Sequence, residues 1–224
     1  MLSISKENFL KAIYHHKEKH DRHVTSSHLA EDLKISQAAV SEMSKKLAKR
    51  GLLTHQKYKG VDLTPAGEII ALKVVRRHRL WELFLIKSLK LPLSQVHIEA
   101  ERLEHATSEF LLDKLDAFLD YPQFGPHGDP IPDKNGKLPV MPKLSALHTA
   151  DTGKQYRVMR LDDTNRHLIE YFEEIGVELH AVITVTKKLD YDQSMTVTID
   201  GHNHLLTDKM AKNIFVTPNT NHHD

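Results

Sequence analysis

Apolar residues recur at helical spacing near the start of the chain. Phe9, Leu10, Ile13 and Tyr14 share one stripe of a segment from Asn8 to Lys19, which predicts an amphipathic helix. Ser26-Ser27 can cap a short helix carrying Leu29, Ala30 and Leu33. Ser36 can cap a second helix, from Gln37 to Arg50, closed by Gly51 at a C-cap position. That helix buries Val40, Met43 and Leu47 on one face. Ser36, Gln37, Ser41, Ser44 and Lys45 occupy the other. A short helix, a turn and a polar-faced helix form the helix-turn-helix pattern, whose second helix enters the DNA major groove. From Leu52 to Leu63, apolar and β-prone positions flank a basic tip that ends in Gly60. This predicts a hairpin wing, with Lys57 and Lys59 placed to touch phosphates. Thr64 and Pro65 then open another helix as N-cap and first helical residue.

Further along, the pattern changes twice. Residues 64–120 read as long helices. Residues 121–143 hold Pro122, Pro126, Pro130, Pro132, Pro139 and Pro142 with three glycines, a density of breakers that marks a linker or an extended ordered loop. Residues 144–216 alternate as strands do, at Val182, Thr184, Thr186 and at Met195, Val197, Ile199, with Asp200-Gly201 as a hairpin turn. The expected fold is mainly α with a C-terminal β domain. Its divisions are 1–63 (winged helix-turn-helix), 64–120 (helical domain), 121–143 (Pro-rich linker), 144–216 (β domain) and 217–224 (tail).

Charge sharpens this picture. The net charge is +1, but residues 1–80 hold 16 Lys and Arg against 8 Asp and Glu, a balance of +8. The two remaining thirds are acidic. A basic module attracts a polyanion by counterion release, which suits double-stranded DNA. There is no cysteine, so disulfides, thiolate catalysis and Cys-type zinc sites are excluded. No apolar run reaches the roughly 18 residues that would span a bilayer. Met1–Leu10 has no basic segment followed by an apolar core, as a secretory leader would. The expectation is a cytoplasmic protein with no membrane partner.

The remaining chemistry is metal chemistry. His78 and Glu82 are four residues apart on one predicted helix, so they share a face. A second predicted helix, starting near Ser94, carries His97, Glu101, Glu104 and His105. With His97 at zero, these fall at about 40°, −20° and 80° at 100° per residue, all within about 100° of arc. Any one of these residues could belong to a solvated polar face. Six on two adjacent helices make a concentration of charge that a cation would neutralise. Carboxylates with imidazoles and no thiolate suit Mn(II), Fe(II), Co(II) or Zn(II). A His-Glu-x-x-His motif, paired Glu-x-x-His motifs, a Gly-rich phosphate loop and a nucleophile elbow are all missing, so the chain is not expected to be an enzyme.

These residues, in this order, resemble the diphtheria-toxin-repressor and manganese-transport-regulator family. The resemblance runs through Asn8-Phe9-Leu10-Lys11-Ala12-Ile13-Tyr14, Ser36 to Gly51, Leu63-Thr64-Pro65-Ala66-Gly67, Arg77-His78-Arg79-Leu80 with Glu82, Val96 to His105, and Pro126-His127-Gly128-Asp129-Pro130-Ile131-Pro132. It implies a winged helix, a helical metal-binding and dimerisation domain and an SH3-like C-terminal domain. It further implies a homodimeric repressor of metal uptake that binds operator DNA when loaded with metal. One metal site would use Glu101, Glu104, His105 and Asn8, although relatives present Met or Asp at the Asn8 position. Glu7 is adjacent but projects differently. A second site would use His78, Glu82, His97 and Asp163, with His127 at a ligand position of some relatives. Manganese-type members have Glu at the Glu101 position and iron-type members have Cys. That favours Mn(II), with Fe(II) as the other candidate. Lys11 stands where some manganese members place a carboxylate, which favours two separate sites per chain over a bridged pair of ions. The competing reading is a metal-independent winged-helix regulator whose His/Glu cluster is vestigial or serves another ligand.

Overall fold

The structure is a computed structural model that describes residues 2–20, 23–56 and 60–219. The chain packs as two compact units. One comprises Met1–His78, Glu101–Lys114 and Ile131–Leu138; the other comprises Arg79–Ala100, Leu115–Pro130 and Pro139–Asp224.

The first unit contains the helix-turn-helix. Helix α1 (Ile4–His20) starts before the expected Asn8 and buries Phe9, Leu10 and Ile13. Helix α2 (Ser26–Asp32) is capped by Thr25, one residue earlier than expected, because the Thr25 hydroxyl accepts from the His28 amide and Ser26 is already helical. Helix α3 (Gln37–Lys49) has Ser36 as its N-cap, accepting from the Ala39 amide, and Gly51 follows it at φ 71°. Strands β1 (Leu53–Gln56) and β2 (Gly60–Leu63) pair antiparallel from Leu53 opposite Leu63 to Gln56 opposite Gly60, forming the wing. Val24 bridges to Val61 beside them, and Leu29, Val40, Leu47, Val61 and Val75 complete this core. Helix α4 (Pro65–Leu89) begins where expected: the Thr64 hydroxyl accepts from the Gly67 amide and donates to the Gly51 carbonyl.

Helix α5 (Leu93–Glu104) ends one residue before His105, which lies in the following turn rather than on the helical stripe the sequence predicts. Helix α6 (Glu109–Phe118) follows. The Pro-rich stretch is packed chain: Gly125, His127, Gly128 and Pro130 are buried in the second unit. A Cβ on Gly128, at φ 87°, would stand 2.1 Å from the Met159 carbonyl oxygen, so only glycine fits there. Further along, Arg76 donates to the Pro132 carbonyl within the first unit.

The C-terminal part is an antiparallel sheet. Strands β3 (Ser145–Ala146), β4 (Gln155–Leu161), β5 (Val182–Lys188), β6 (Met195–Ile199), β7 (His202–Leu206) and β8 (Ile214–Pro218) lie in the order β3-β8-β4-β5-β6-β7. Helices α7 (Arg166–Glu174) and α8 (Asp208–Ala211) accompany it. Register shifts in β4 near Arg160 and in β5 near Lys187 give it the local twist that bulges add. Asp200-Gly201 makes the two-residue β6–β7 turn with both φ positive, as the sequence predicts. Alternate strand positions bury Val158, Ile183, Val185, Val197, Ile199 and Val216 against Phe172 and Ile169 of α7. No helix among the described residues is long and apolar enough to cross a membrane.

Candidate metal centre and DNA-binding face

The last turn of α5 presents Glu101 and Glu104, and the turn beyond it presents His105. Their ligand atoms lie within 4.8 Å of one another. Glu104 is fully buried. Burial alone would raise its pKa, but the hydrogen bond from His78 and the nearby Lys11 ammonium outweigh it and hold the carboxyl below its usual range. The group is therefore ionised at neutral pH, as a metal ligand must be.

Its surroundings explain how a buried carboxylate is tolerated. Lys11 Nζ lies 2.7 Å from Glu101 Oε2 and 2.6 Å from Glu104 Oε1. His78 Nδ1 lies 2.6 Å from Glu104 Oε2. His78 therefore contacts a carboxylate of the first donor group through Nδ1. With Nδ1 committed to Glu104, Nε2 is the nitrogen through which His78 would ligate. His105 is fixed from its other side: Nδ1 is 2.8 Å from Glu7 Oε2, and Arg77 donates to the same oxygen at 3.2 Å. His105 Nε2 then faces Glu104 Oε1 at 3.0 Å without a hydrogen bond.

Two buried atoms fit this group to a metal. His105 Nε2 and Asn8 Oδ1 have no hydrogen-bond partner, and burying such atoms unpaired is costly unless an ion or water meets them. Asn8 sits on α1 between Glu7 and Lys11, both of which reach the end of α5. The donor set is oxygen and imidazole, the chemistry of Mn(II), Fe(II) and Zn(II). The roles of Glu7, Lys11 and Arg77 escaped the sequence reading. Glu7 and Lys11 stand four apart on one helix face, and Lys11 fills a position where some relatives carry a carboxylate, but neither fact predicts these contacts.

A second group lies in the other unit. Glu82 of α4, His97 of α5 and Asp163 after β4 bring ligand atoms within 4.8 Å of one another. His97 Nδ1 is 3.4 Å from Glu82 Oε1; Glu82 is buried, while the His97 side chain is 58% exposed. His127 is buried beside them, with Nε2 4.0 Å from Asp163 Oδ2 and no hydrogen bond to either ring nitrogen.

On the helix-turn-helix, Ser36, Gln37, Ser41 and Lys45 are exposed along α3. Ser36 spends its hydroxyl on the helix cap, and Gln37 donates to Ser27 at 3.4 Å. Ser44, expected on the same face, is instead buried at 2% exposure. It follows Val40 by four residues and so shares the apolar stripe, which removes it from the DNA-facing set. Lys57 and Lys59 lie outside the described residues.

A winged helix followed by helices that gather carboxylates and imidazoles, with a small β domain after them, defines a metal-dependent DNA-binding regulator. The comparisons name the family. Residues 1–61 match the model of the iron dependent repressor N-terminal DNA binding domain. Residues 64–133 match that of its metal binding and dimerisation domain, and residues 146–218 match the FeoA domain. The chain is 31% identical over 187 residues to the iron-dependent repressor IdeR of Mycobacterium leprae, spanning 78% of this chain and 80% of that one. Its fold matches the structure of a manganese-dependent transcriptional repressor in complex with manganese, at 36% identity and a TM-score of 0.87, covering 95% of this chain and 99% of that one. It also matches the manganese regulator SloR at 32% identity and a TM-score of 0.76, covering 95% and 98%. The chain belongs to the iron-dependent repressor family, the family of the diphtheria toxin repressor, whose members are metal-activated DNA-binding transcriptional repressors.

Proposed function

We propose that this chain is a Mn(II)-activated repressor that binds operator DNA as a homodimer in the cytoplasm and limits metal uptake. Glu101, Glu104, His105 and Asn8 form the activating centre. His78, Glu82, His97 and Asp163, with His127 near Asp163, form the second, giving two ions per chain. Ser36, Gln37, Ser41 and Lys45, with Lys57 and Lys59, meet the DNA. The observation that carries this reading is the buried Glu104 carboxylate, gripped by residues of α1 at one edge and by the His105 turn at the other. A bound dication would supply positive charge shared among these donors. Helix α1 lies within residues 1–61, the DNA-binding match. Asn8 and Glu104, if both held an ion, would therefore favour one placement of the DNA-reading helices. DNA selects the same placement, so metal and operator strengthen each other's binding. Glu101 favours manganese because a carboxylate is harder than the thiolate it would otherwise be. The manganese-dependent repressor whose structure is a complex with manganese supports the same choice.

The test is an electrophoretic shift on a duplex selected from random sequence, with Mn(II), Fe(II) or chelator present. Mn(II) should strengthen binding by about 5–150-fold over chelator. Affinity should also fall steeply with salt, because the basic module contacts phosphates. Binding that persists unchanged in chelator would instead establish a metal-independent winged-helix regulator.

A further inference from the structure

Lys11 is a buried lysine, 7% exposed, whose ammonium contacts two carboxylates at ion-pair distance. Those carboxylates, Glu101 and Glu104, are the ones whose oxygens gather with His105 as ligand atoms. Glu104 Oε1 receives Lys11 at 2.6 Å and faces His105 Nε2 at 3.0 Å. One oxygen thus serves both the ammonium and the donor group. We propose that Lys11 is an internal cation that competes with the metal for Glu101 and Glu104 and holds the affinity of this centre low. The inference rests on the functional reading above and deepens it.

The argument is electrostatic. An ammonium and a dication seek the same lone pairs, and at these distances in a water-poor site their repulsion is weakly screened. If the ammonium withdraws, its two ion pairs are lost. If it remains, it is a like charge beside the ion. Either way, the metal binds more weakly than it would with a neutral side chain at position 11. The centre then fills only when metal is plentiful, which is what a repressor of metal uptake requires. Lys11 also explains how Glu101 and Glu104 stay close together without repelling each other apart.

Three proteins test this: wild type, Lys11→Met, which keeps the apolar stem and removes the charge, and Lys11→Arg, which keeps the charge. Mn(II) affinity is read by calorimetry and thermal stability is read in chelator. Lys11→Met should bind Mn(II) at this centre at least about tenfold more tightly, the factor that one nearby charge typically exerts. It should also melt at a lower temperature in chelator. A merely structural lysine would lose on both readouts, so opposite signs are diagnostic. Lys11→Arg should stay close to wild type in affinity. Mn(II) binding by Lys11→Met that is unchanged or weaker overturns the proposal, as does equal tightening in Lys11→Arg. Should Lys11→Met fail to fold, a Zn(II) titration of the wild type, followed at the Lys11 ¹⁵Nζ resonance, decides instead. A shift at saturation supports competition, and an unmoved resonance overturns it. If wild type binds no Mn(II) at all, the functional reading itself has failed.

Discussion

The two candidate centres use the same residue types in opposite settings. In the first, a fully buried carboxylate is held by a lysine and two imidazoles, and one imidazole is fixed in turn by Glu7 and Arg77. Its carboxylates are met by cationic and imidazole groups, while His105 Nε2 and Asn8 Oδ1 stay without a hydrogen bond. In the second, the buried Glu82 meets a His97 that is mostly in solvent, with Asp163 and an unbonded His127 alongside. The partners of the first come from α1, the helix that opens the DNA-binding domain, from Arg77 and His78 of α4, and from the end of α5. The second draws on α4, α5 and the β domain. The difference leads to an expectation that can be tested: substitutions in the first group should cost stability in the metal-free fold, and substitutions in the second should cost little.

The variant that strains this contrast most is Glu104→Gln. It removes a ligand and at the same time takes from Lys11 and His78 their buried carboxylate partner, leaving Lys11 only the partly exposed Glu101. Breaking a buried ion pair in this way costs about 3–5 kcal/mol. The expected outcome is a marked fall in melting temperature in chelator. Mn(II) affinity at the first centre should fall by more than the roughly 10–100-fold that loss of an outer-shell partner brings. Activation of operator binding should disappear. A variant as stable as wild type that still responds to Mn(II) would show that Glu104 is not the centre of the switch.

A smaller effect is expected from His97→Ala and Asp163→Ala. His97 is largely exposed and Asp163 partly so, hence neither substitution should shift the melting temperature in chelator by much. Elemental analysis should show one ion fewer per chain, with the Glu101, Glu104 and His105 group still filled. Loss of all bound metal from either single variant would merge the two centres into one and end the comparison.

Much of this was legible in the sequence. The α3 stripe, the wing, the Thr64-Pro65 helix start and the Asp200-Gly201 turn follow from local periodicity and turn chemistry, and all form as expected. The spacing of Glu101 and Glu104 announced a shared face. What stayed hidden depends on contacts across the chain. Lys11 meets Glu101 and Glu104 across some 90 residues of sequence, and no local pattern encodes that pairing. Helical spacing puts His105 on a helix that ends at Glu104, because spacing does not reveal where the last turn unwinds. Ser44 was assigned by polarity, yet its position on the stripe of Val40 buries it.

Glu101→Cys should have the mildest effect and sharpens the chemical side of the comparison. Glu101 is the most exposed member of the first group, with 38% of its side chain accessible, so the fold should tolerate the change. Glu104 and His105 remain, so the centre still binds metal and DNA binding is still metal-dependent. What changes is softness: a thiolate replaces a hard oxygen donor, and the Lys11 ammonium beside it favours the ionised sulfur. The order of metal potencies should therefore move away from Mn(II) and toward Fe(II), Co(II) and Zn(II). The measurement is operator binding titrated with each metal under anaerobic conditions, wild type against variant. Potencies with the same order and spacing in both proteins would show that Glu101 does not set the preference. The case for manganese over iron would then have to rest on the shape of the site rather than on this carboxylate.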